Sequence, residues 1–329
     1  MAKFVYFGTP DFAVPSLSAL NEFCTQQGHE IAHVVCQPDR PAGRGKKLKM
    51  PAVKVCALEL GLPVHQPTTL KKGTEDGDAY FSLFQQLEVD VAIVVAYGRI
   101  LPKRFLRHPQ YGFVNVHASL LPYWRGAAPI QRAIEAGDTQ TGVCIMEVVP
   151  ELDAGGVYAK AVLPIKDSHT SASLSVALAA LGGATLQKCL PHLLEGNCPK
   201  EEQDESLVTY AHMISKEEGR IDWSLPAHLI WQKSRAFTPW PGSFVAHGKG
   251  VFKLHEACLI RSEKERHNAD APIGTVLALE ELVVVQTGDG PLGFVYGQPP
   301  GKKKMNAKEL KNGRYLELGQ VLSSLDTAI

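Results

Sequence analysis

Two polar side chains stand where a core strand should be apolar. In "FVNVHASLLPYWRGAAP" (113–129), Asn115 and His117 are two residues apart among valines. Alternate residues of a strand share a face, so these two project together while Val114 and Val116 turn the other way. The apolar run stops at Ala118, where "SLLP" opens a loop. Ligands of open α/β sheets bind outside the carboxyl ends of the strands, so the pair is expected at the mouth of a site. A third group is Asp153 in "VVPELDAGG" (148–156), beside a glycine pair that permits close backbone approach. An amide donor and an imidazolium backed by a carboxylate suit the stabilisation of an oxyanion during acyl transfer. No Ser or Cys nucleophile is paired with them, so the attacking group is expected to come from a substrate.

Other stretches carry less chemistry than their letters suggest. "HEIAH" (29–33) matches a zinc-protease pattern, but that chemistry needs a helix, and here the pentapeptide opens a β-branched run. In a strand its two histidines lie about 13 Å apart, too far for one metal ion. No metal site is expected. "YFGTPDFAVPS" has the strand–Gly–helix setting of a nucleotide site but one glycine of the three, and reads as Thr9 capping a helix with Pro10 at its first position. No P-loop or G-x-S-x-G elbow occurs. The seven cysteines form no CxxC pair and read as reduced, buried thiols.

The elements that must position the polar set alternate. Strands are expected at 3–7, 30–37, 62–66, 89–96 and 112–118, with helices at 15–27, 51–60, 78–88 and 127–136, the last closed by Gly137. This alternation predicts a Rossmann-like, mostly parallel sheet with helices on both faces, and "VDVAIVVA" (89–96) belongs at its centre. Strands at 141–149 and 156–165 precede a helix over 171–195 with Thr170 as N-cap. Residues 196–209, charged and without apolar period, read as a linker. Beyond 210, short runs punctuated by Gly and Pro predict a small, OB-like β-barrel with helices near 226–236 and 307–312. The expected organisation is thus 1–195, linker 196–209, and 210–329.

Lys+Arg and Asp+Glu are both 34, so a polyanionic partner must be drawn by local clusters. "RPAGRGKKLKMPAVK" (40–54) has six basic residues and no acidic one; "GKKKMNAKELKNGR" (301–314) has six against Glu309. No apolar run approaches the ~18–20 residues of a membrane helix, and the start does not read as a signal peptide. A cytoplasmic monomer is expected.

"NVHASLLPYWRGAAPIQ", with "FGTPDFAVPSL", "QPDRPAGRGKKLK", "VVAYGRILP", "SKEEGRIDWS" and "TPWPGS", resembles the folate-dependent formyltransferases nearly end to end. The resemblance implies transfer of formyl from 10-formyltetrahydrofolate to the α-amino group of methionine on initiator tRNA. Asn115, His117 and Asp153 fall on the family's catalytic positions. Ser119, Leu120, Leu121 and Pro122 fall on its tetrahydrofolate-binding loop, and the 91–102 segment, with Tyr97 and Gly98, would wall the pterin pocket. The 40–54 loop resembles the element that enters the tRNA acceptor stem, with Arg44 foremost and Lys46 and Lys47 on phosphates. Lys302, Lys303 and Lys304 would track tRNA backbone. The family usually reads G-L-D-T-G-D where this chain has Glu151-Leu152-Asp153-Ala154-Gly155-Gly156, so a threonine hydroxyl and a second carboxylate are replaced. Alternatives are a formyltransferase acting on glycinamide ribonucleotide or an amino sugar, a 10-formyltetrahydrofolate hydrolase, or a non-catalytic tRNA-binding protein.

Overall fold

The computed structural model describes residues 1–42, 47–247, 250–260 and 271–323. Arg44 and Lys46 lie outside them. The chain groups into two units, the first comprising 1–129, 140–164 and 175–211, the second 130–139, 165–174 and 212–329.

Along the chain come β1 (Lys3–Gly8), α1 (Val14–Gln27), β2 (Glu30–Val35), β3 (Arg40–Ala42), β4 (Lys47–Lys49), α2 (Ala52–Glu59), β5 (Val64–His65) and α3 (Glu75–Gln86). Next are β6 (Val91–Val95), α4 (Lys103–Leu106), β7 (Phe113–His117), β8 (Arg125–Gly126), α5 (Pro129–Ala136), β9 (Gln140–Glu147), β10 (Val157–Pro164), α6 (Ser171–Leu194) and β11 (Tyr210–Ala211). The first unit's main sheet has the order β10-β9-β7-β6-β1-β2-β5. Five strands from β7 to β5 run parallel, while β9 and β10 are antiparallel to their neighbours. β6 is the central strand, as its two apolar faces predict. Val91, Ile93 and Val95 pack on one face with Leu17, Leu20 and Leu186, and Ala92 on the other with Phe7, Phe84, Phe105 and Phe113. Truncating any of these large buried side chains to Ala would cost about 2–5 kcal/mol.

α1 shows why such a segment is helical here. Leu17, Leu20, Phe23 and Cys24 repeat at helical spacing and are all buried, and Gly28 ends the helix at φ 70°. Its start corrects the sequence reading, because the helix end carries no side-chain cap. The Thr9 hydroxyl instead donates to the Tyr97 carbonyl (2.9 Å) and accepts from the Gln37 amide (3.3 Å). It thereby ties together the ends of β1, β2 and β6. Thr170 does cap α6, its hydroxyl accepting from the Ser173 amide. α6 is long and apolar enough, by length and composition, to cross a membrane. Its apolar runs are short because Ser, Gly and Thr interrupt them, and Lys188 is its one Lys, Arg, Asp or Glu. Leu186, Cys189, Leu190 and Leu193 of this helix are buried in the first unit's core. α6 also braces the back of β7, for a Cβ on Gly182 would lie 2.8 Å from the Val116 side chain.

In the second unit, α7 (Ala227–Ala236) precedes β12 (Ser243–His247), β13 (Gly250–Leu259), β14 (Val276–Leu279), β15 (Val283–Thr287), β16 (Gly290–Gln298), β17 (Met305–Asn306) and α8 (Ala307–Asn312). The strands form a barrel-like antiparallel sheet in the order β12-β13-β16-β15-β14, with β17 on β16. Trp223, Phe252, Leu254, Val285, Phe294 and Leu310 form its core. Both expected helices are present, and α8 opens with a capping box between Asn306 and Glu309.

Candidate active site

On β7 the alternation works as the pattern requires. Val114 and Val116 enter the core shared with α1 and α6, while Phe113 packs on the opposite face with Phe7 and Phe84. Asn115 and His117 share that second face at the strand's carboxyl end; Asn115 is half-buried and His117 buried.

The loop after β7 folds back on the imidazole. The Ser119 hydroxyl donates to the Tyr123 carbonyl (2.6 Å), the Leu121 amide to the Cys144 thiol (3.3 Å), and the Leu121–Pro122 peptide is cis. Trp124 takes φ 62° and Gly126 φ 123°. A Cβ on Gly126 would lie 2.8 Å from the Ala211 carbonyl, because β8 pairs there with β11. This path brings the Trp124 carbonyl 3.1 Å from His117 Nε2. A carbonyl only accepts, so Nε2 carries the proton in that bond.

Asp153 occupies the loop between β9 and β10 at φ 48°, a left-handed conformation unusual for a residue bearing a Cβ. Its Oδ2 accepts from the Gly126 amide at 2.8 Å and stands 3.8 Å from His117 Nδ1. The imidazole thus has a backbone acceptor on one nitrogen and a carboxylate on the side of the other. Protonated, it presents N–H on both sides, which suits it to hold developing negative charge or pass a proton. The two conventional nucleophiles nearby are engaged. Ser119 Oγ is bonded within its loop, and Cys144, opposite His117 in the β7–β9 register, has its thiol pushed up by burial to about 11.

A second set of residues, absent from the sequence reading, holds these loops. Gln203 Nε2 donates to the carbonyls of Asp153 (2.7 Å) and Gly155 (2.8 Å), and its Oε1 accepts from Arg125 Nε (3.0 Å). Arg125 is 3% exposed and pairs with Glu205, whose carboxyl it holds below its ordinary range. Thr209 accepts from the Trp124 amide through its hydroxyl and from the Arg125 amide through its carbonyl. These partners lie within or at the end of the 196–209 segment. Its own signal in the sequence is only the conspicuous "WRG" that it meets.

The residues expected to hold the cofactor fall in two places. Ser119, Leu121 and Pro122 are buried in the loop under His117, with Leu120 half-buried. Tyr97 and Gly98 line a cleft of about 770 Å³ together with Thr9, Gln37, Arg40 and Lys49. The cleft lies at the carboxyl ends of β1 and β6. There the strand order reverses, since β2 follows β1 on one side and β6 lies on the other. Tyr97 is 2% exposed, its hydroxyl has no partner, and burial raises it to about 12. A cleft of that size has room for a pterin-sized heterocycle. Among the described residues no cluster of three or more His, Cys, Asp or Glu could hold a metal ion. "HEIAH" ends inside β2, where His33 stacks on His65 at 3.9 Å.

β3 and β4 pair antiparallel at the start of the basic 40–54 stretch, and Lys47 opens β4. Lys302, Lys303 and Lys304 are exposed in the second unit. Lys304 pairs with Glu256 (3.4 Å) and stands over the Tyr296 ring.

Residues 2–190 match the family described as Formyl transferase, and residues 213–315 match Formyl transferase, C-terminal domain. A methionyl-tRNA formyltransferase of Methylococcus capsulatus is 45% identical over 314 residues, covering 95% of this chain and 97% of its own length. Among solved structures, the N-formyltransferase of Helicobacter canadensis in complex with folinic acid and dTDP-3-aminofucose has a TM-score of 0.65 at 16% identity, covering 93% of this chain and all of its own. HypX of Aquifex aeolicus in complex with tetrahydrofolic acid has a TM-score of 0.58 at 20% identity; it is matched over 94% of this chain, which spans about half its length (47%). A glycinamide ribonucleotide transformylase of Symbiobacterium toebii scores 0.51 at 18% identity, covering 62% of this chain and 95% of its own. These structures share the fold. The two matched regions and the near full-length relative place the chain in the formyl transferase family.

Proposed function

We propose that this chain transfers the formyl group of 10-formyltetrahydrofolate to the α-amino group of methionyl initiator tRNA, acting as a cytoplasmic monomer. The observation that carries the reading is the 45% identity to a methionyl-tRNA formyltransferase across 95% of this chain, with both family regions included. The site geometry supports it: polar groups are assembled for an oxyanion, while Ser119 and Cys144 are engaged elsewhere, so the amine must be brought by the acceptor.

The folate donor supplies an activated formyl carbonyl. The chain supplies position and field. The Asn115 amide and the His117 imidazolium hold the oxygen that gains charge when the amine attacks the formyl carbon. The Trp124 carbonyl keeps the ring oriented throughout. The Asp153 carboxylate, anchored on the Gly126 amide, balances the imidazolium and assists the proton that leaves the amine on its way to the departing nitrogen. Tyr97 and Gly98 would wall the heterocycle and Ser119–Pro122 would shape the approach to His117. Arg44 would lead the loop into the acceptor stem with Lys46 and Lys47 on phosphates, and Lys302–Lys304 would track the tRNA backbone.

The test incubates the protein with 10-formyltetrahydrofolate and methionyl initiator tRNA, glycinamide ribonucleotide, a nucleotide-linked amino sugar, or no acceptor. Formyl-methionyl-tRNA is the expected product. Formylation of the ribonucleotide or the sugar but not the tRNA, or donor hydrolysis without acceptor, would overturn the reading.

A further inference from the structure

Gln203 lies between the two matched family regions, yet its side chain bridges both loops that flank His117. One loop delivers the Trp124 carbonyl to Nε2 and the Gly126 amide to the Asp153 carboxylate; the other delivers that carboxylate to the Nδ1 side. The bridge has a defined polarity. Two carbonyls at 2.7 and 2.8 Å require the NH₂ end of the amide, and Arg125 Nε–H requires the oxygen. Asp153 itself sits at φ 48°, a left-handed conformation that surrounding contacts must hold in a Cβ-bearing residue. Two donors from Gln203, one to the Asp153 carbonyl itself and one two residues on, provide that restraint.

We infer that Gln203 is a positioning residue for the transfer: it fixes the spacing of the Trp124–Gly126 and Asp153–Gly155 loops, and through it the place of the Asp153 carboxylate beside His117. Its partner Arg125 completes the bridge, buried on one side against Gln203 and reaching Glu205 on the other. For its kinetic arm alone, the inference rests on the formyl-transfer reading.

Gln203→Glu separates this role from simple space filling. A carboxylate keeps the length and the Arg125 contact but faces two carbonyl oxygens with no proton to give. Gln203→Ala removes the whole bridge, and Glu202→Gln, a neighbouring exposed charge, is the control. Expected for both Gln203 variants is a kcat about tenfold or more below wild type, with KM for donor and tRNA within about twofold. In the free protein, amide hydrogen exchange should rise in peptides covering 124–128 and 150–157 and stay unchanged elsewhere. Glu202→Gln should behave as wild type. Retention of kcat within about twofold in Gln203→Glu and Gln203→Ala, a change in KM alone, or unaltered exchange in both loops overturns the inference. If Gln203→Ala does not fold, Gln203→Glu decides. If the wild type forms no formyl-methionyl-tRNA, the functional reading fails, and the exchange measurement still decides the role of Gln203.

Discussion

The carbonyl oxygen of Trp124 lies 3.1 Å from Nε2 of His117 and is the hydrogen-bond acceptor that orients the imidazole. Asp153, at 3.8 Å from Nδ1, is beyond hydrogen-bond length and has its own donor in the Gly126 amide. In the proposed transfer, orientation and charge balance would therefore come from different groups. A neutral carbonyl holds the ring in either protonation state, so a proton can pass near Asp153 without the imidazole losing its aim.

Replacing His117 with Ala should lower the single-turnover formylation rate by about 10²–10⁴, the range for loss of a general acid–base group. Donor affinity, followed by titration calorimetry, should change by no more than a few-fold. A variant that loses donor binding and rate in equal measure would place His117 in the cofactor pocket instead.

Gly126 is fixed by sterics as well as by φ. With Ala there, the new Cβ lies 2.8 Å from the Ala211 carbonyl in a backbone region L side chains rarely adopt. Gly126→Ala should cost about 1–3 kcal/mol of stability and move the Trp124 carbonyl off His117. Denaturant unfolding and formylation rate check the two effects separately; an unchanged unfolding midpoint would contradict the close approach.

His33, buried against His65 and Tyr80, has its folded value lowered to about 4 by burial and by the neighbouring imidazole. Unfolded, it titrates near 6.5. Between those values the unfolded chain binds a proton that the folded chain does not, so stability is full above about pH 6.5 and falls as pH drops toward about 4. His33→Phe should flatten the melting temperature against pH over that window while keeping the ring contacts. A variant curve parallel to wild type would remove His33 from the acid response.

Arg44→Ala should weaken catalysis on tRNA, and replacing Lys302–Lys304 with Ala should make the salt dependence of tRNA binding shallower, since each lost phosphate contact reduces the slope by about one. If Arg44→Ala had no effect at any salt concentration, the loop would revert to a solvated surface.

The parts legible in the sequence are those governed by short-range periodicity. The period of two put Asn115 and His117 on one face, and the doubly apolar 89–96 run marked the central strand. What escaped depends on partners far along the chain. Thr9 reads as a helix cap because that is the local use of its hydroxyl, whereas its acceptor, the Tyr97 carbonyl, is 88 residues away. Gln203 and Arg125 are 78 residues apart, and a charged segment without apolar period gives no sign that it returns to the loop after β7.

The course of residues 200–211 also determines where the chain can be cut. A fragment ending at 195 would retain Asn115, His117 and Asp153 yet lose Gln203, Glu205, Thr209 and the β11 strand that pairs with β8. One ending at Ala211, where the first unit closes, would keep all of them, together with 130–139 and 165–174 of the second unit. For anyone dissecting the protein, those sixteen residues separate a fragment that keeps the supports of Asn115, His117 and Asp153 from one that merely contains the three side chains.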